Sequence, residues 1–303
     1  MKKRIFGIAA VAAALALAAF VLVGCGSSGG SASASAAASG SGSAASAEAS
    51  AANGGVFRTL DEIKSSGTIK IGVFSDKHPF GYVDEGGEYA GYDVELANRL
   101  AADLGVTPEF VSTEAANRVE YLETGKVDLI LANFTVTDER AQKVDFAEPY
   151  MNVALGVVSH NDNVIKSLDE IGDGEVIVIT GTTAETYLTE NNPEIKLKKF
   201  ETYANAKTAF ENKEGVAWAN DNTEVIAFAN SAEGYTVGIE ELGSLDTIAP
   251  AVSKGNKELL DWVNEDMKKL GSEKFFHAAY EKTLQEVYGA DYEETLVVEP
   301  GQK

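Results

Sequence analysis

The folded part of this chain contains two α/β units in series, and this repetition limits the folds that it can adopt. In each unit, short apolar runs typical of strands alternate with segments of helical periodicity. The first unit has predicted strands at residues 69–74, 109–112 and 127–134 and predicted helices at 93–104 and 116–122. The second has predicted strands at residues 176–180, 195–200 and 216–220 and predicted helices beginning near 183, 203 and 222. Such alternation predicts sheets covered by helices.

Two extended segments connect these units. Residues 150–159 lead from the first unit into the second, and residues 248–252 follow the second. The helices predicted at 259–270 and 273–288 have no sheet of their own, so the simplest packing returns them to the first unit. We therefore predict an α/β fold of two lobes, joined by two crossing strands, with a ligand cleft between them. Lobe 1 is expected to comprise residues 57–151 plus 243–303, and lobe 2 residues 152–242.

The N-terminal residues have the layout of an exported lipoprotein. A basic start is followed by an apolar run over residues 5–23 and then by Cys25, the only cysteine. This predicts a signal peptide at residues 1–24, and the residues before Cys25 resemble a lipobox, which makes Cys25 the expected lipid attachment point. Residues 25–56, rich in Gly, Ser and Ala, are expected to form a flexible tether. An uncleaved membrane anchor is the alternative, and both place the domain outside the cytoplasm, at the outer face of the cell membrane.

The formal net charge of −22 excludes some partners. A strongly acidic chain is repelled by nucleic acid, and it tends to stay soluble and monomeric. The three histidines, His78, His160 and His277, are scattered, without the spacing of a metal site or a Ser-His-Asp triad. We therefore predict no metal, no cofactor and no catalytic residue.

One candidate binding element follows the buried strand predicted at residues 127–134. Because ligands of open α/β sheets bind at the carboxyl ends of strands, Asn133 and Thr135 are expected at the cleft. Thr137 is a plausible N-cap for a short helix that carries Arg140, and an arginine there offers a bidentate fork for a carboxylate. The alternative is a surface arginine paired with Asp138, Glu139 or Asp145.

The second unit has matching features. Gly181 opens a helix after the strand at 176–180, and the free N–H groups beside Thr182 and Thr183 suit an anion. Either threonine is equally well a simple helix cap. Asp221 ends the strand at 216–220, where it can bind an ammonium group or serve as an ordinary turn residue. Together, these residues match a zwitterion.

Two motifs in the chain carry a resemblance to a known family. One is Gly91-Tyr92-Asp93-Val94-Glu95-Leu96, and the other combines residues 125–128, 135–137, Arg140 and 146–150. Over residues 57–303 the chain resembles the extracellular solute-binding proteins of polar amino-acid ABC transporters. The resemblance implies a type II periplasmic-binding-protein fold, and a membrane permease and an ATPase as partners. It also implies that Arg140 and the amides of Thr135 and Thr183 hold the ligand's carboxylate. By the same resemblance Asp221, the Thr135 hydroxyl and the Asn133 carbonyl hold its ammonium.

Within that family, the chain is most similar to cysteine-binding members. The similarity lies in residues 74–77, 114–120, 132–137 and 248–252. Lys77 and Arg118 give the side-chain end of the pocket a cationic character, which argues against lysine or arginine as ligand. Arg118 resembles the arginine of aspartate- and glutamate-binding members, although a solvated helix face is the alternative for it. The aromatic residues Phe80, Tyr82 and Phe134 are expected either to cover the ligand or to belong to the core.

The leading hypothesis is a lipid-anchored receptor that delivers a free L-amino acid, with L-cysteine favoured, to an ABC importer. Aspartate, glutamate and cystine are alternative ligands. Two hypotheses come from other classes of protein: an exported enzyme on the same fold, with Lys77 or Glu114 as a proton donor, and an amino-acid sensor or adhesin.

Overall fold

The computed structural model describes residues 56–302. The predicted signal peptide, Cys25 and all of the tether except Val56 lie outside this part. Within it, no helix combines the length and the apolar character needed to span a membrane. The first elements in chain order are α1 (Leu60–Ser66), β1 (Thr68–Val73), β2 (Asp76–Lys77), β3 (Gly81–Val83), β4 (Tyr89–Ala90), α2 (Tyr92–Leu104), β5 (Thr107–Ser112), α3 (Arg118–Glu123), β6 (Leu129–Ile130), α4 (Asp138–Ala141) and β7 (Val144–Phe146).

A second group of elements is built around the long strand that follows. These elements are β8 (Met151–His160), β9 (Glu175–Ile179), α5 (Thr183–Asn191), β10 (Lys196–Phe200), α6 (Tyr203–Glu211), β11 (Ala217–Asp221), α7 (Asn222–Ser231) and β12 (Tyr235–Ile248). The chain ends with β13 (Ala251–Ser253), α8 (Lys257–Ser272), α9 (Phe275–Thr283), α10 (Gln285–Tyr288) and α11 (Glu293–Leu296).

Two five-stranded sheets organise these elements. The first has the order β5-β1-β6-β13-β7, and the second the order β10-β9-β11-β8-β12. In the first sheet, β1 pairs in parallel with both β5 and β6, while β13 is antiparallel to its neighbours. In the second, β9 pairs in parallel with β10 and β11, and β8 is antiparallel to β11 and β12. We call the parts built on these two sheets lobe 1 and lobe 2.

The chain passes between the lobes twice. β8 enters lobe 2 and β12 leaves it, and the two strands pair from Tyr235 opposite His160 to Ile248 opposite Met151. The predicted lobe boundaries, after residues 151 and 242, fall within these strands and stay a prediction. Because the crossing strands are paired with each other, the carboxyl ends of β1, β6, β9 and β11 can meet in one cleft.

The core of lobe 1 includes the C-terminal helices. Apolar residues of α2, such as Leu96 and Leu100, pack with Leu259 and Val263 of α8 and with Phe276 of α9, and all are buried. Gly91 precedes α2 at φ +117°, and a Cβ there would lie 2.3 Å from the Phe80 carbonyl oxygen. Only glycine fits this turn, which fixes where the helix begins.

Four elements differ from the sequence-based predictions. The extended segment predicted at 248–252 is interrupted at residues 249–250, between the end of β12 and the start of β13. The strand predicted at 127–134 pairs only over Leu129–Ile130, and Asn133 beyond it takes a left-handed conformation at φ +45° that ends the ladder. The 14-residue strand β12 was not predicted, because glycines and acidic residues interrupt its apolar alternation and its register shifts against β8. The helix predicted at 273–288 is divided at Leu284 into α9 and α10.

Candidate ligand-binding site

The end of β6 is held in position by a buried carboxylate. The backbone N–H of Asn133 donates to Asp93 Oδ2 at 2.8 Å, and the Tyr150 hydroxyl donates to Asp93 Oδ1 at 2.6 Å. Burial raises the pKa of Asp93 to about 6, although its hydrogen bonds to Tyr150 and Asn133 act in the opposite direction. Asp93, in the first turn of α2, therefore holds Asn133, the left-handed residue at the end of β6, in position.

The short helix α4 delivers Arg140 to the cleft. The Thr137 side chain caps this helix by accepting from the Arg140 N–H at 3.2 Å, as the sequence predicts. The Arg140 guanidinium donates to the Thr135 carbonyl at 2.8 Å and, across the cleft, to the Gly181 carbonyl at 2.9 Å. Both of these acceptors are neutral, so the cation has no anionic partner there.

Arg118 reaches the same place from α3. It is 3 % exposed, which excludes the alternative of a solvated helix face. Its guanidinium donates to the carbonyls of Ala115, Ala132 and Asn133 in lobe 1 and of Gly181 in lobe 2. The two guanidinium groups lie over the Phe134 ring, at 4.5 Å for Arg118 and 4.9 Å for Arg140.

The buried Arg118 and the partly buried Arg140 form a cationic centre without an anion among residues 56–302. Among residues 56–302, neither guanidinium lies within 4.0 Å of a carboxylate, and Asp145, a sequence-based candidate partner of Arg140, pairs with Lys254 instead. Burial, and then the neighbouring Arg118, lower the pKa of Arg140 to about 9. Arg140 is still protonated at neutral pH. A pair of cations shielded from solvent to this extent is stabilised by an anionic ligand.

A lysine and an aspartate meet across the cleft beside this centre. Lys77 is fully buried, and its Nζ donates to Asn133 Oδ1 at 2.6 Å, to Asp221 Oδ2 at 3.1 Å and to the Tyr203 hydroxyl at 3.2 Å. Burial alone lowers the pKa of Lys77, but Tyr203, Asp221 and Glu224 outweigh it and the pKa is raised. Asp221 ends β11 in lobe 2, so the ion pair links the lobes.

The turn into α5 supplies the opposite wall of the cleft. Thr182 is the N-cap, because its hydroxyl accepts from the Glu185 N–H at 3.3 Å. Thr183 is the first residue of the helix, so its N–H has no acceptor within the helix. A cavity of about 330 Å³ opens beside Arg140, Thr183 and Tyr187.

The structure brings together all but one of the predicted site residues. Phe80 is buried with its ring centroid 5.5 Å from Lys77 Nζ. Tyr82 lies apart from the cluster: its ring is tilted against that of His78, with the centroids 4.6 Å apart, and it lines a separate cavity of about 470 Å³ with Glu95 and Lys282. In the part of the chain that the structure describes, no three His, Cys, Asp or Glu side chains converge as metal ligands.

Sequence reasoning missed three residues of the site: Asp93, Tyr203 and Glu224. Asp93 shares a helix face with Ala97, Leu100 and Leu104, and a carboxylate on an apolar face is a signal of a buried partner. Tyr203 and Glu224 carried no comparable signal, since each lies in the first turn of a helix at an ordinary amphipathic position.

Comparison with known proteins identifies the family. Residues 69–286 match the family described as bacterial extracellular solute-binding proteins, family 3. The chain belongs to this family.

Among solved structures, this family 3 protein is similar to the solute receptor for L-cysteine of Neisseria gonorrhoeae, with 50% identity, a TM-score of 0.79, and coverage of 80% of this chain and 100% of that one. It is similar to the cysteine-binding protein of Campylobacter jejuni, with 47% identity, a TM-score of 0.78, and coverage of 79% and 98%. It is also 30% identical to the glutamine-binding protein of a Bacillus subtilis ABC transporter, over 75% of this chain and 85% of that protein. These similarities confirm the predicted α/β, two-lobed type II fold.

Gly181→Ala is expected to weaken ligand binding by opening the cleft. Gly181 has φ +79°, and a Cβ there would lie 2.5 Å from Ala116 Cα in lobe 1. Its carbonyl oxygen also accepts hydrogen bonds from both Arg118 and Arg140. We expect the affinity to fall by at least about tenfold, because loss of one charge-assisted hydrogen bond costs about that much. Titration calorimetry measures the change.

The matched control is Gly67→Ala. Gly67 has φ +72° but nothing within 4 Å of the added Cβ, so it carries the backbone strain without the contact between lobes. Equal losses of affinity in both variants would contradict the assigned role of Gly181.

Proposed function

We propose that this solute-binding protein encloses a free L-amino acid, with L-cysteine preferred, and delivers it to the permease and ATPase of an ABC importer. One observation carries the proposal: the buried Arg118 and partly buried Arg140 guanidinium groups, which have no anionic partner among residues 56–302, lie in the same cleft as the Asp221 carboxylate. A zwitterionic ligand supplies a carboxylate for the two guanidinium groups and an ammonium group for Asp221.

The ligand's α-carboxylate would bind Arg140 and the N–H groups of Thr135 and Thr183. Thr135 pairs with Ile248, but the hydrogen bonds beside this bridge use the backbones of Phe134 and Val136. The Thr135 N–H is therefore not used by the bridge. A carboxylate between this N–H, the first turn of α5 and the Arg140 fork would meet donors from both lobes, so its binding favours closure.

The ligand's α-ammonium would bind Asp221, with the Thr135 hydroxyl and the Asn133 carbonyl as further acceptors. In the structure, the Lys77 ammonium pairs with the Asp221 carboxylate at 3.1 Å. Lys77 therefore mimics the ligand's amine, and binding of an amino acid requires Lys77 to share or leave this carboxylate.

Two observations support L-cysteine. Two similar structures, at 50% and 47% identity, are those of cysteine-binding proteins. Lys77 and Arg118 also place positive charge around the pocket, which disfavours basic side chains and favours a polarisable thiol or an anion. Aspartate and glutamate are the second candidates: among residues 56–302, the three cations Lys77, Arg118 and Arg140 have one carboxylate at hydrogen-bond distance, Asp221, and this excess of positive charge suits a ligand with an extra negative charge.

Isothermal titration calorimetry with the purified protein tests this proposal. The ligands are L-cysteine under reducing conditions, cystine under oxidising conditions, aspartate and glutamate. The proposal is supported if the protein binds these ligands and its affinity is highest for L-cysteine. If none of the four ligands binds, the proposal is wrong.

We further propose that Cys25 carries a lipid that tethers the protein to the outer face of the cell membrane. Its support is the sequence alone: an apolar run ending in Leu22-Val23-Gly24 before the single cysteine. Cys25→Ser is expected to move the protein from the detergent phase to the aqueous phase in a phase-partition assay, because the acyl chains supply the membrane affinity. Retention of the variant in the detergent phase would favour an uncleaved membrane anchor.

A further inference from the structure

A second carboxylate faces Lys77 from the same helix end as Asp221. Glu224 lies in the first turn of α7, three residues after Asp221, and its Oε2 is 3.9 Å from Lys77 Nζ. Glu224 is buried, and this oxygen has no hydrogen-bond partner among residues 56–302. An unpartnered buried carboxylate oxygen is costly and calls for an explanation, and its use in another state of the protein is one.

The binding of an amino acid supplies such a state. Lys77 has one carboxylate at hydrogen-bond distance, Asp221 at 3.1 Å, and the proposed ligand needs the same carboxylate for its ammonium. If Lys77 stayed there, two ammonium groups would compete for one anion in a buried site. A small movement of the flexible lysine stem brings Nζ within hydrogen-bond distance of Glu224.

We propose that Glu224 is a specificity-determining residue, which takes over the Lys77 ammonium when the ligand's ammonium takes Asp221. This inference rests on the proposed function. In its ionised form, Glu224 balances Lys77, and the buried Asp93 carboxylate offsets the charge of Arg118, so the remaining charges of Arg140 and Asp221 match a zwitterion without net charge. When Glu224 is neutral or absent, the site keeps an extra positive charge and favours a ligand with an extra carboxylate, such as aspartate.

The surroundings of Glu224 make this exchange sensitive to pH. Burial raises the pKa of Glu224 to about 7, with Asp221 and Asp76 raising it further and Lys77 and Lys207 opposing them. The other titratable groups on elements that face it are His78 before β3, Tyr203 on α6 and Tyr288 on α10. Because binding requires the ionised form, it is expected to release a proton where Glu224 is partly protonated, and affinity is expected to fall as the pH drops below about 7.

Glu224→Gln tests the proposal in the full chain. Titrations with L-cysteine and L-aspartate at about pH 7, in two buffers that differ in ionisation enthalpy, give both the affinities and the protons released. For the wild type, we expect release of roughly half a proton per cysteine, since Glu224 is then half ionised. For the variant, we expect almost no proton release and a cysteine affinity at least about tenfold lower. We also expect the ratio of cysteine affinity to aspartate affinity to shift about tenfold towards aspartate.

Two further variants separate this role from a general loss of structure. Glu214→Gln removes an exposed carboxylate that pairs with Lys198, and it is expected to leave affinity and proton release unchanged. Glu224→Asp keeps the charge on a shorter side chain and is expected to retain proton release. Wild-type preference and proton release in Glu224→Gln would overturn the inference while leaving the proposed function intact. Absence of amino-acid binding by the wild type would overturn both.

Discussion

Asp221→Asn is expected to lower the affinity for every free amino acid by at least about a hundredfold. Two losses combine in this variant. The ligand's ammonium loses its anionic partner, which costs about 1.5 to 3 kcal/mol for a hydrogen bond to a charged group. The asparagine also offers an amide N–H₂ group to Lys77 and to the ligand, and this donor repels both cations. Titration calorimetry with cysteine and aspartate measures the loss.

The same substitution is expected to lower the stability of the ligand-free protein. Lys77 is fully buried, and Asp221 is its anionic partner at 3.1 Å. Removing one partner of a buried ion pair destabilises a protein by about 3 to 5 kcal/mol, although Glu224 at 3.9 Å is positioned to recover part of this. Thermal unfolding without ligand measures the effect.

Asp162→Asn is the control for Asp221→Asn. Asp162 pairs with Lys213 at 2.8 Å, and both side chains are mostly exposed, so this ion pair contributes little to stability. We expect its binding and unfolding to match the wild type. An Asp221→Asn protein that binds amino acids with unchanged affinity would contradict the role of Asp221.

Arg140→Ala is expected to weaken all amino acids alike, by about 2 kcal/mol or more, because the α-carboxylate that Arg140 would bind is common to all of them. The loss should therefore leave the order of preference among ligands unchanged. The variant also frees the carbonyls of Thr135 and Gly181, which Arg140 joins across the cleft, so closure without ligand is expected to be less favourable.

Arg99→Ala provides the matched comparison for Arg140→Ala. Arg99 pairs with Asp103 and Glu273 on the surface of lobe 1, and its removal is expected to leave ligand binding unchanged. Selective loss of one ligand in Arg140→Ala, with others unaffected, would show that Arg140 contacts a side chain instead of the shared carboxylate.

The local elements of the fold were predictable because their signals are local. Gly91 and the apolar face that follows it define α2, and Thr137 caps α4 so that Arg140 faces the cleft. β12 was not predictable, because its pairing with β8 depends on a partner strand about 80 residues away and not on its own alternation. In β12, pairing with a distant strand outweighs the weak preference of its own residues for a strand.

The contacts within the site were less predictable than its members. The Lys77 and Asp221 side chains are 144 residues apart in the chain, and their ion pair depends on how the two lobes close. Arg118 lies on a six-residue helix, too short for periodicity to show which face is buried. Asp93 was missed although a signal existed, since a carboxylate on the apolar face of α2 indicates a buried partner.

A competition experiment with the 20 natural amino acids and cystine tests the central claim most directly. The protein is loaded with a reporter ligand, and each competitor is added under conditions that keep cysteine reduced or cystine oxidised. We expect L-cysteine to displace the reporter at the lowest concentration, aspartate and glutamate to follow, and lysine and arginine to be weakest because Lys77 and Arg118 repel them. A protein that binds lysine or arginine most tightly, or that binds no amino acid, would contradict the account.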